Sequence, residues 1–485
     1  MLPAHTSRGL VIEVTGASRY VPIGDDTATY ALQPNDITIN DLQGLANQLS
    51  VDCQKQGLIL CVAEIPRQDL TNGKVTVSMS EGYISTIDAE PSAQKVLRRV
   101  FRKALQERPL RDETFYSAVA MLDDIPGLTV RKIAPQRVAG DEYVLVVDAT
   151  MDRFAARALL SNRGSRRDKP YKAFVGGDIN SMVTAGDQLS VGYLTRPQAA
   201  GELAFVRARY QTAPFSNAAR SYLEWAWSNS SPASQLNDRD VDGDLNRVIL
   251  GVERPLLRRD GVRIDGRASI EYANSAERED GLTLYEDRLR ILQAALSARV
   301  KLTSGGIIAA ETSVSQGIDI WDAGGQSRPD GDAVFSRVQG DVTFAQPVGS
   351  YIARFGASGQ RASGPLLFAE EFGVGGGRFG RGYDFGEVMG DHGAAAFVEV
   401  ARPIQGGDLV RRVEPYLYGD MGATWNDGAG LSADGKTLYS AGAGLRIAIK
   451  GGLTLSYEAA APLSDAPYTL DDRKVRHRID LGLQH

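Results

Sequence analysis

From Phe154 to its end, the chain is a succession of short segments in which apolar and polar residues alternate, separated by Gly, Asp, Asn, Ser and Pro. In residues 453–458, for example, Leu, Leu and Tyr alternate with Thr, Ser and Glu. A period of two is typical of a β-strand with one apolar and one polar face. No run of about 18 or more apolar residues occurs, which excludes a membrane-spanning helix. This part of the chain is therefore predicted to be all β.

Alternation alone fits two architectures, a soluble sandwich with an apolar interior and a membrane barrel with an apolar exterior. Length distinguishes them, because membrane strands need about 9–11 residues plus a connection. Charged residues beside small or apolar ones, such as Arg207, Arg209 and Arg446, also fit a water-filled interior. We predict a transmembrane antiparallel β-barrel of about 16 strands over residues 153–485.

Three aromatic residues lie close together in one of these segments. They are Tyr222, Trp225 and Trp227. An aromatic girdle at the membrane interface would explain them, and so would ordinary packing between strands. The sequence leaves both interpretations open.

The first 83 residues have a different pattern, predicted as a strand, a helix and two more strands. The first strand is the apolar run 10–14, and the last lies near Val75 and Val77. One helix face carries apolar residues at the i, i+3, i+4, i+7 spacing, namely Leu42, Leu45, Ala46, Leu49 and Cys53. Asn40 is placed to cap this helix and Gly57 to end it.

A second unit of similar plan follows in residues 84–152. Helices are predicted around residues 96–105 and 112–122, followed by a turn at 123–127 and a strand at 143–147. Two similar modules in tandem indicate an internal repeat. The chain is thus predicted to be mainly β, with two small α+β domains in front of a barrel.

The two cysteines, Cys53 and Cys61, fall on the predicted helix and on the strand that follows it. That geometry allows their Cα atoms to approach within about 7 Å, as a disulfide requires. Two buried apolar thiols are an equally good interpretation. With so few histidines, the pair cannot form a closed zinc site, and no metal is predicted.

Motifs in the first 152 residues resemble the two POTRA domains of two-partner secretion transporters, the ShlB/FhaC/HecB-type haemolysin secretion/activation proteins. The first domain is matched by Lys55-Gln56-Gly57, residues 62–66, Gln68-Asp69-Leu70, the strand from Gly73, and Glu81-Gly82. The second is matched by Pro109-Leu110 and by residues 121–127, where a helix ends in an Asp-x-x-Pro-Gly type of turn.

The resemblance continues through the barrel. Residues 160–165 resemble the first barrel strand of the family, and residues 375–402 resemble its most diagnostic part, including Arg381-Gly382-Tyr383. Residues 415–422 match an aromatic-x-Asp-x-Gly motif, and residues 455–463 match the penultimate strand. The resemblance thus covers almost the whole chain.

In that family the Arg-Gly-Tyr sequence forms the tip of a long loop folded into the lumen, which implies such a loop near residues 371–392. Here Gly380 stands where the family usually has Val. A guanidinium in a narrow lumen needs a carboxylate, so Arg381 is expected to pair with Asp420 or Glu399. Both carboxylates could equally be ordinary lumen lining.

Other function classes find little support. Residues 375–380 satisfy the G-x-G-x-x-G dinucleotide fingerprint, but no βαβ unit surrounds them, so no cofactor is predicted. No catalytic motif is present, and the chain is interpreted as a conduit and not an enzyme. The net charge of −6 and the lack of a basic stripe argue against nucleic acid as a partner.

The resemblance implies a monomeric transporter in the lipid of the Gram-negative outer membrane. Its POTRA domains would lie in the periplasm and capture one large unfolded partner protein, by strand addition at an exposed sheet edge or by binding in a groove. The first alternative is a factor of the same superfamily that assembles other barrels. A soluble multi-domain β adhesin is the second, and solubility without detergent would identify it.

Overall fold

A computed structural model of the chain describes residues 11–15, 39–68, 74–165, 170–215, 217–231, 241–427, 436–464 and 473–484. The chain divides into two compact units, Met1–Asp152 and Arg153–His485. Leu10, the start of the first predicted strand, lies outside the described residues, as does most of the Gln68–Gly73 segment that resembles a POTRA motif.

The first half of the N-terminal unit is a three-stranded sheet with one helix. Its elements are β1 (Val11–Thr15), α1 (Ile39–Lys55), β2 (Val62–Glu64) and β3 (Lys74–Ser80). β3 lies in the centre, parallel to β1 and antiparallel to β2. The predicted apolar face of α1 packs on Val75, Val77 and Met79 of β3. The helix begins at Ile39, so Asn40 lies inside it and is not its cap, whereas Gly57 follows its end with a φ of +91°.

The second half repeats this plan with two helices. Its elements are β4 (Tyr83–Ala89), α2 (Pro91–Val100), α3 (Asp112–Leu122), β5 (Leu128–Ala139) and β6 (Glu142–Met151). The central strand β6 is parallel to β4 and antiparallel to β5. The helix expected around 96–105 begins earlier, because Pro91 favours the first helical turn, and ends at Val100. The structure also adds β4 and β5, neither of which the sequence analysis predicted.

The C-terminal unit is a closed antiparallel barrel. Its strands are β7 (Phe154–Ser161), β8 (Lys172–Asn180), β9 (Gln188–Thr195), β10 (Leu203–Gln211), β11 (Arg220–Ser230), β12 (Val241–Arg259), β13 (Val262–Glu279), β14 (Leu282–Lys301), β15 (Ile307–Gly317), β16 (Ser336–Val348), β17 (Tyr351–Ala362), β20 (His392–Ala401), β22 (Val410–Trp425), β23 (Lys436–Ile449), β24 (Leu453–Pro462) and β25 (Arg476–Gln484). A short strand, β21 (Ile404–Gln405), continues β20 beyond Pro403 along β22. β25 pairs with β7 and closes the barrel, which confirms the predicted architecture of about 16 strands.

Apolar side chains cover the outer face of the barrel, and ion pairs line its interior. Leu292, Leu296 and Val314 on the outer face are 45%, 49% and 52% exposed. On the inner face, Arg207 of β10 pairs with Glu224 of β11 at 2.6 Å. A soluble sandwich would show the reverse distribution, so the arrangement is that of a membrane barrel.

The aromatic group on β11 is divided between the two faces, because neighbouring strand residues point to opposite sides. Trp225 is on the outer face with 39% of its surface exposed. Trp227 lies two residues further along the same strand and therefore on the same face. Tyr222 instead points into the lumen, where Arg209 stacks on its ring at 3.8 Å. A girdle role therefore fits only the two tryptophans.

Connections between the strands are short at one end of the barrel and mostly longer at the other, although the two-residue turn 280–281 lies at the longer end. We call the end where β7 begins and β25 finishes the turn end, and the opposite end the loop end. Residues 260–261 and 349–350 are turns at the turn end, whereas residues 318–335 and 363–391 are loops from the loop end. None of the helices in the described parts of the chain is both long and apolar enough to cross a bilayer.

Candidate functional site

The loop between β17 and β20 folds back into the barrel. It contains a 3₁₀ turn at Phe368–Glu370 and two short strands, β18 (Phe372–Val374) and β19 (Val388–Gly390), which pair in antiparallel fashion. We call residues 372–390 the lumenal hairpin. Its tip carries the Gly-rich segment and the Arg-Gly-Tyr sequence identified above.

One face of the lumenal hairpin is apolar and packs on the barrel wall. The packed residues are Phe372, Val374, Phe379, Tyr383, Val388, Ala395 and Leu438. Two wall glycines make room for them. A Cβ on Gly393 would lie 2.0 Å from Phe372 Cδ1, and one on Gly422 would lie 2.6 Å from Val374 Cγ1. The wall is therefore shaped to accept the hairpin in this position.

Arg381 lies at the centre of the seated tip and is only 6% exposed. Its Nη1 donates to Glu399 Oε2 on β20 at 3.2 Å and to Glu458 Oε2 on β24 at 3.3 Å. Its guanidinium carbon lies 4.1 Å from the ring centre of Tyr418. The side chain thus joins the hairpin to several strands of one sector of the wall.

Asp420 on β22 binds the backbone of the tip more closely than it binds the guanidinium. Its Oδ1 accepts the amide hydrogen of Gly380 at 2.8 Å, and its Oδ2 accepts that of Arg381 at 3.3 Å, whereas Arg381 Nε is 3.8 Å away. Gly380 has a φ of +66°, a conformation that would strain a residue with a side chain. The Gly at this position allows the tip to present two amides to one carboxylate.

Glu399 and Glu458 are shared with arginines of the barrel wall. Arg446 donates to both oxygens of Glu399 at 2.8 Å each, and Arg354 donates to it at 2.9 Å. Arg163, just after β7, donates to Glu458 at 3.1 Å. Because each of these two carboxylates also has an arginine of the wall as a partner, both stay paired with or without the hairpin.

The remainder of the Arg-Gly-Tyr sequence is held equally firmly. Tyr383 is fully buried, and its hydroxyl lies 2.6 Å from Ser464 Oγ. Arg478 on β25 donates to the carbonyls of Tyr383 at 2.6 Å and Gly376 at 2.9 Å. Gly382 contacts the backbone at the end of β24, with no room for a side chain.

Further ion pairs fix the two ends of the hairpin. Asp384 pairs with Arg476 of β25 at the tip. At the base, Asp391 is fully buried and accepts hydrogen bonds from Arg328 at 2.6 Å and from the Leu366 amide at 2.7 Å. The hairpin is therefore attached at both its tip and its base.

The structure brings the predicted residues Arg381, Asp420 and Glu399 together in the lumen. The sequence analysis missed Glu458, Arg478 and the Asp384–Arg476 pair, although Glu458 lay on the polar side of a recognised alternating strand. Cys53 and Cys61 lie far from this site in sequence and form a disulfide, with their Cα atoms 6.1 Å apart.

The Gly-rich segment 375–380 connects β18 to the hairpin tip, and no helix follows it that could hold a pyrophosphate. Within the described ranges, no group of three or more His, Cys, Asp or Glu side chains has a metal-binding arrangement. The chemistry available at the site is ion pairing and hydrogen bonding.

Comparisons with known proteins agree with this architecture. The sequence model of the haemolysin secretion/activation protein ShlB/FhaC/HecB family matches residues 140–447, and that of the ShlB-type POTRA domain matches residues 11–82. A heme/hemopexin transporter protein, HuxB, of Haemophilus influenzae (strain 86-028NP) is 19% identical over 259 residues, which cover 52% of this chain and 45% of that protein. HuxB of strain ATCC 51907 / DSM 11121 / KW20 / Rd is 20% identical over 454 residues, 89% of this chain and 79% of that protein.

Solved structures share the fold. CdiB from Escherichia coli superposes with a TM-score of 0.74 at 17% identity, over 100% of this chain and 93% of that one. CdiB from Acinetobacter baumannii gives a TM-score of 0.65 at 16% identity, over 93% and 84% of the two chains. BamA from Haemophilus ducreyi, lacking POTRA domains 1–3, gives 0.58 at 13% identity, over 94% and 96%.

Proposed function

Because the chain belongs to the haemolysin secretion/activation protein ShlB/FhaC/HecB family, we propose that it exports one large unfolded partner protein across the outer membrane by two-partner secretion. The observation that carries this proposal is a closed barrel whose interior holds a hairpin through both apolar packing and buried ion pairs. Two carboxylates of this seat, Glu399 and Glu458, also pair with arginines of the wall, which favours a seat that the hairpin can leave and regain.

We propose that residues 1–83 and 84–152 are two POTRA domains that lie in the periplasm, and that the turn end of the barrel is its periplasmic end. The family match supports the first of these domains directly, and the repeated plan of the second half supports the other. In this orientation the long loops lie at the cell surface. The apolar outer face of the barrel contacts membrane lipid.

The POTRA pair is the proposed site of partner capture. β5 is a 12-residue strand that pairs only with β6 among the described strands, so one of its edges is available for strand addition. Backbone hydrogen bonds at such an edge bind an extended chain while tolerating varied side chains. This mode of binding suits an unfolded partner.

The lumenal hairpin is the proposed closure of the channel. Arg381 and Asp420 hold its tip in the seated position, and the partner passes after the hairpin shifts. On release Glu399 keeps Arg446 and Arg354. Asp420, in contrast, loses its ion pair with Arg381 and keeps the hydrogen bond from the Ser440 hydroxyl. We infer that folding of the partner outside the cell biases its movement, without a nucleotide.

Secretion of a partner tests the proposal. The full chain is produced with a cleavable signal peptide in a Gram-negative host, together with a large secreted protein encoded beside its gene, and the partner is measured in the medium. A form beginning at residue 153 is expected to insert but to export nothing, since capture belongs to the POTRA pair. Undiminished export by this form would contradict the assignment of capture.

The same cells distinguish export from barrel assembly, the alternative within the superfamily. An assembly factor would change the amounts of other outer-membrane barrels on depletion, whereas an exporter would change only its partner. The family match favours export, since it is to secretion/activation proteins. A loss of several barrels on depletion, with the partner unaffected, would reverse this choice.

A further inference from the structure

A cavity of about 420 Å³ lies in the lumen between the tip of the lumenal hairpin and strands β13–β16. We call it the lumenal cavity. Its charged lining residues are Arg263, Asp265, Arg299, Glu311, Asp341 and Arg378. Only Arg378 belongs to the hairpin, so the cavity lies beside the seat described above and not within it.

Among the described residues that line this cavity or form ion pairs with its lining, cationic side chains outnumber carboxylates. Asp265 is held by Arg263 at 3.0 Å and also by Arg258, Glu311 is held by Arg267 at 2.6 Å, and Asp341 is held by Arg378 at 2.5 Å. Among the residues that the structure describes, Arg299 has neither an ion pair nor a hydrogen bond. Among the described residues, and with Arg299 included, five guanidinium groups and three carboxylates line the cavity or pair with its lining. Arg258 and Arg263 have further interactions besides these.

Arg299 also lies directly opposite another arginine. In the pairing of β13 with β14, Arg263 and Arg299 are register partners. Like charges at directly opposed positions destabilise a sheet. Asp265 already offsets part of this cost at Arg263, and an anion bound between the two arginines would offset the rest at Arg299.

Arg378 can join such a site because its present ion pair is open to water. The side chains of Arg378 and Asp341 are 45% and 29% exposed, whereas Arg381 and its carboxylate partners are 7% exposed or less. Water weakens an ion pair exposed to this degree, so another carboxylate can replace Asp341 on Arg378. The ion pairs of Arg381 are buried, so neither water nor a competing carboxylate reaches them in this way.

The cavity is also near the turn end of the barrel. Arg263 follows the turn at residues 260–261, and Arg299 precedes the turn at residues 302–306. A polypeptide entering from that end meets these two arginines before it reaches the seated tip.

From these observations we infer that the lumenal cavity binds carboxylates of an acidic, extended segment of the exported chain, through Arg263, Arg299 and Arg378. This inference rests on the proposed export function for the identity of the ligand. The binding chemistry itself, anionic peptide on arginine, can be measured without a partner protein.

The test is binding of a fluorescein-labelled oligo-glutamate peptide to the full chain in zwitterionic detergent, followed by fluorescence anisotropy. Oligo-glutamate is expected to bind and oligo-lysine is not. Arg299→Gln and Arg378→Gln should each weaken binding by about fivefold to tenfold, as the loss of one charge-assisted contact implies. Binding should also weaken as salt is raised.

Arg361→Gln is the matched control. It removes the same charge from the outer face of β17, where Arg361 pairs in register with the exposed Val338, and it should leave binding unchanged. Equal binding of oligo-lysine, or oligo-glutamate binding that neither lumenal substitution alters, would overturn the inference. If peptide binding behaves as expected but no partner is secreted, the export function fails and the anion site stands.

Discussion

The backbone of Gly382 lies against the backbone of Pro462 so closely that a Cβ on Gly382 would come within 2.6 Å of the Pro462 nitrogen. This contact joins the hairpin tip to the end of β24. The Pro462 backbone is fixed, because Pro462 belongs to a paired barrel strand. The fit of the tip therefore depends on the absence of a single methyl group.

Gly382→Ala is expected to unseat the hairpin tip while leaving the barrel folded. Forcing a methyl group into a packed contact costs about 1–3 kcal/mol, enough to favour a displaced tip. Protease sensitivity of the hairpin should rise, and the amount of secreted partner should fall. Gly377→Ala is the control, since a Cβ there meets nothing within 4 Å. Identical behaviour of the two variants would remove steric fit as the cause.

Arg381→Ala is expected to lower secretion about tenfold or more, which corresponds to about 1.4 kcal/mol or more. The barrel should remain folded, because Glu399 keeps Arg446 and Glu458 keeps Arg163. Arg381→Lys should rescue poorly, since an ammonium group lacks the planar geometry of the guanidinium. Secretion assays and heat-dependent gel mobility of the barrel measure the two effects. Full secretion by Arg381→Ala would remove the seating mechanism and leave only the barrel.

The disulfide between Cys53 and Cys61 should be visible as a mass difference of two hydrogens between oxidised and reduced protein. Replacing both cysteines with Ser should lower the stability of the N-terminal unit by about 2–3 kcal/mol, because a short loop is no longer closed in the unfolded chain. Hydrogen exchange of the α1 amides is the suitable measurement, because the four tryptophans of the chain lie in the barrel and do not report on this unit. An unchanged mass would exclude the bridge.

The turn between β8 and β9 should be held by Asp187 down to acidic pH. Burial raises the pKa of Asp187, but hydrogen bonds from the amides of Thr184, Val183 and Met182 and from the Tyr210 hydroxyl outweigh it, so the pKa lies below its ordinary value. A lowered pKa means that the stabilisation is complete above about pH 4 and is lost as pH falls further. Asp187→Asn should thus speed hydrogen exchange in the turn at neutral pH. The difference from the unaltered protein should shrink at strongly acidic pH, and a constant difference would contradict this.

Much of the fold could be predicted from local sequence patterns, because the period of two in the barrel strands indicates which side chains face lipid. The alternation around residues 453–458 predicts both the strand and the inward side of Glu458. It does not predict that Glu458 meets Arg381, since that contact depends on strand order and on a loop returning through the lumen. Contacts of this kind join residues far apart in sequence, and no local pattern reports them.

The unpredicted strand β5 shows another limit. Its 12 residues include Arg131, Lys132, Pro135 and Arg137, which are weak β-formers or break a strand ladder. Pairing with β6 overrides these preferences, and the edge position tolerates the proline. Tyr222 illustrates the same point on a smaller scale, because only the register of β11 separates it from the outward-facing tryptophans.

The last strand of the barrel supplies Arg476 and Arg478 to the hairpin tip, and Asp480 binds Arg163 beside the first strand at 2.8 Å. The hairpin can therefore reach its full set of contacts only after β25 has paired with β7. During biogenesis, a chain whose final strand is still unpaired has no complete seat for the hairpin. If the hairpin closes the channel as proposed, the channel of such a chain stays open, so completion of the barrel and closure of its channel become one event in the maturation of the protein.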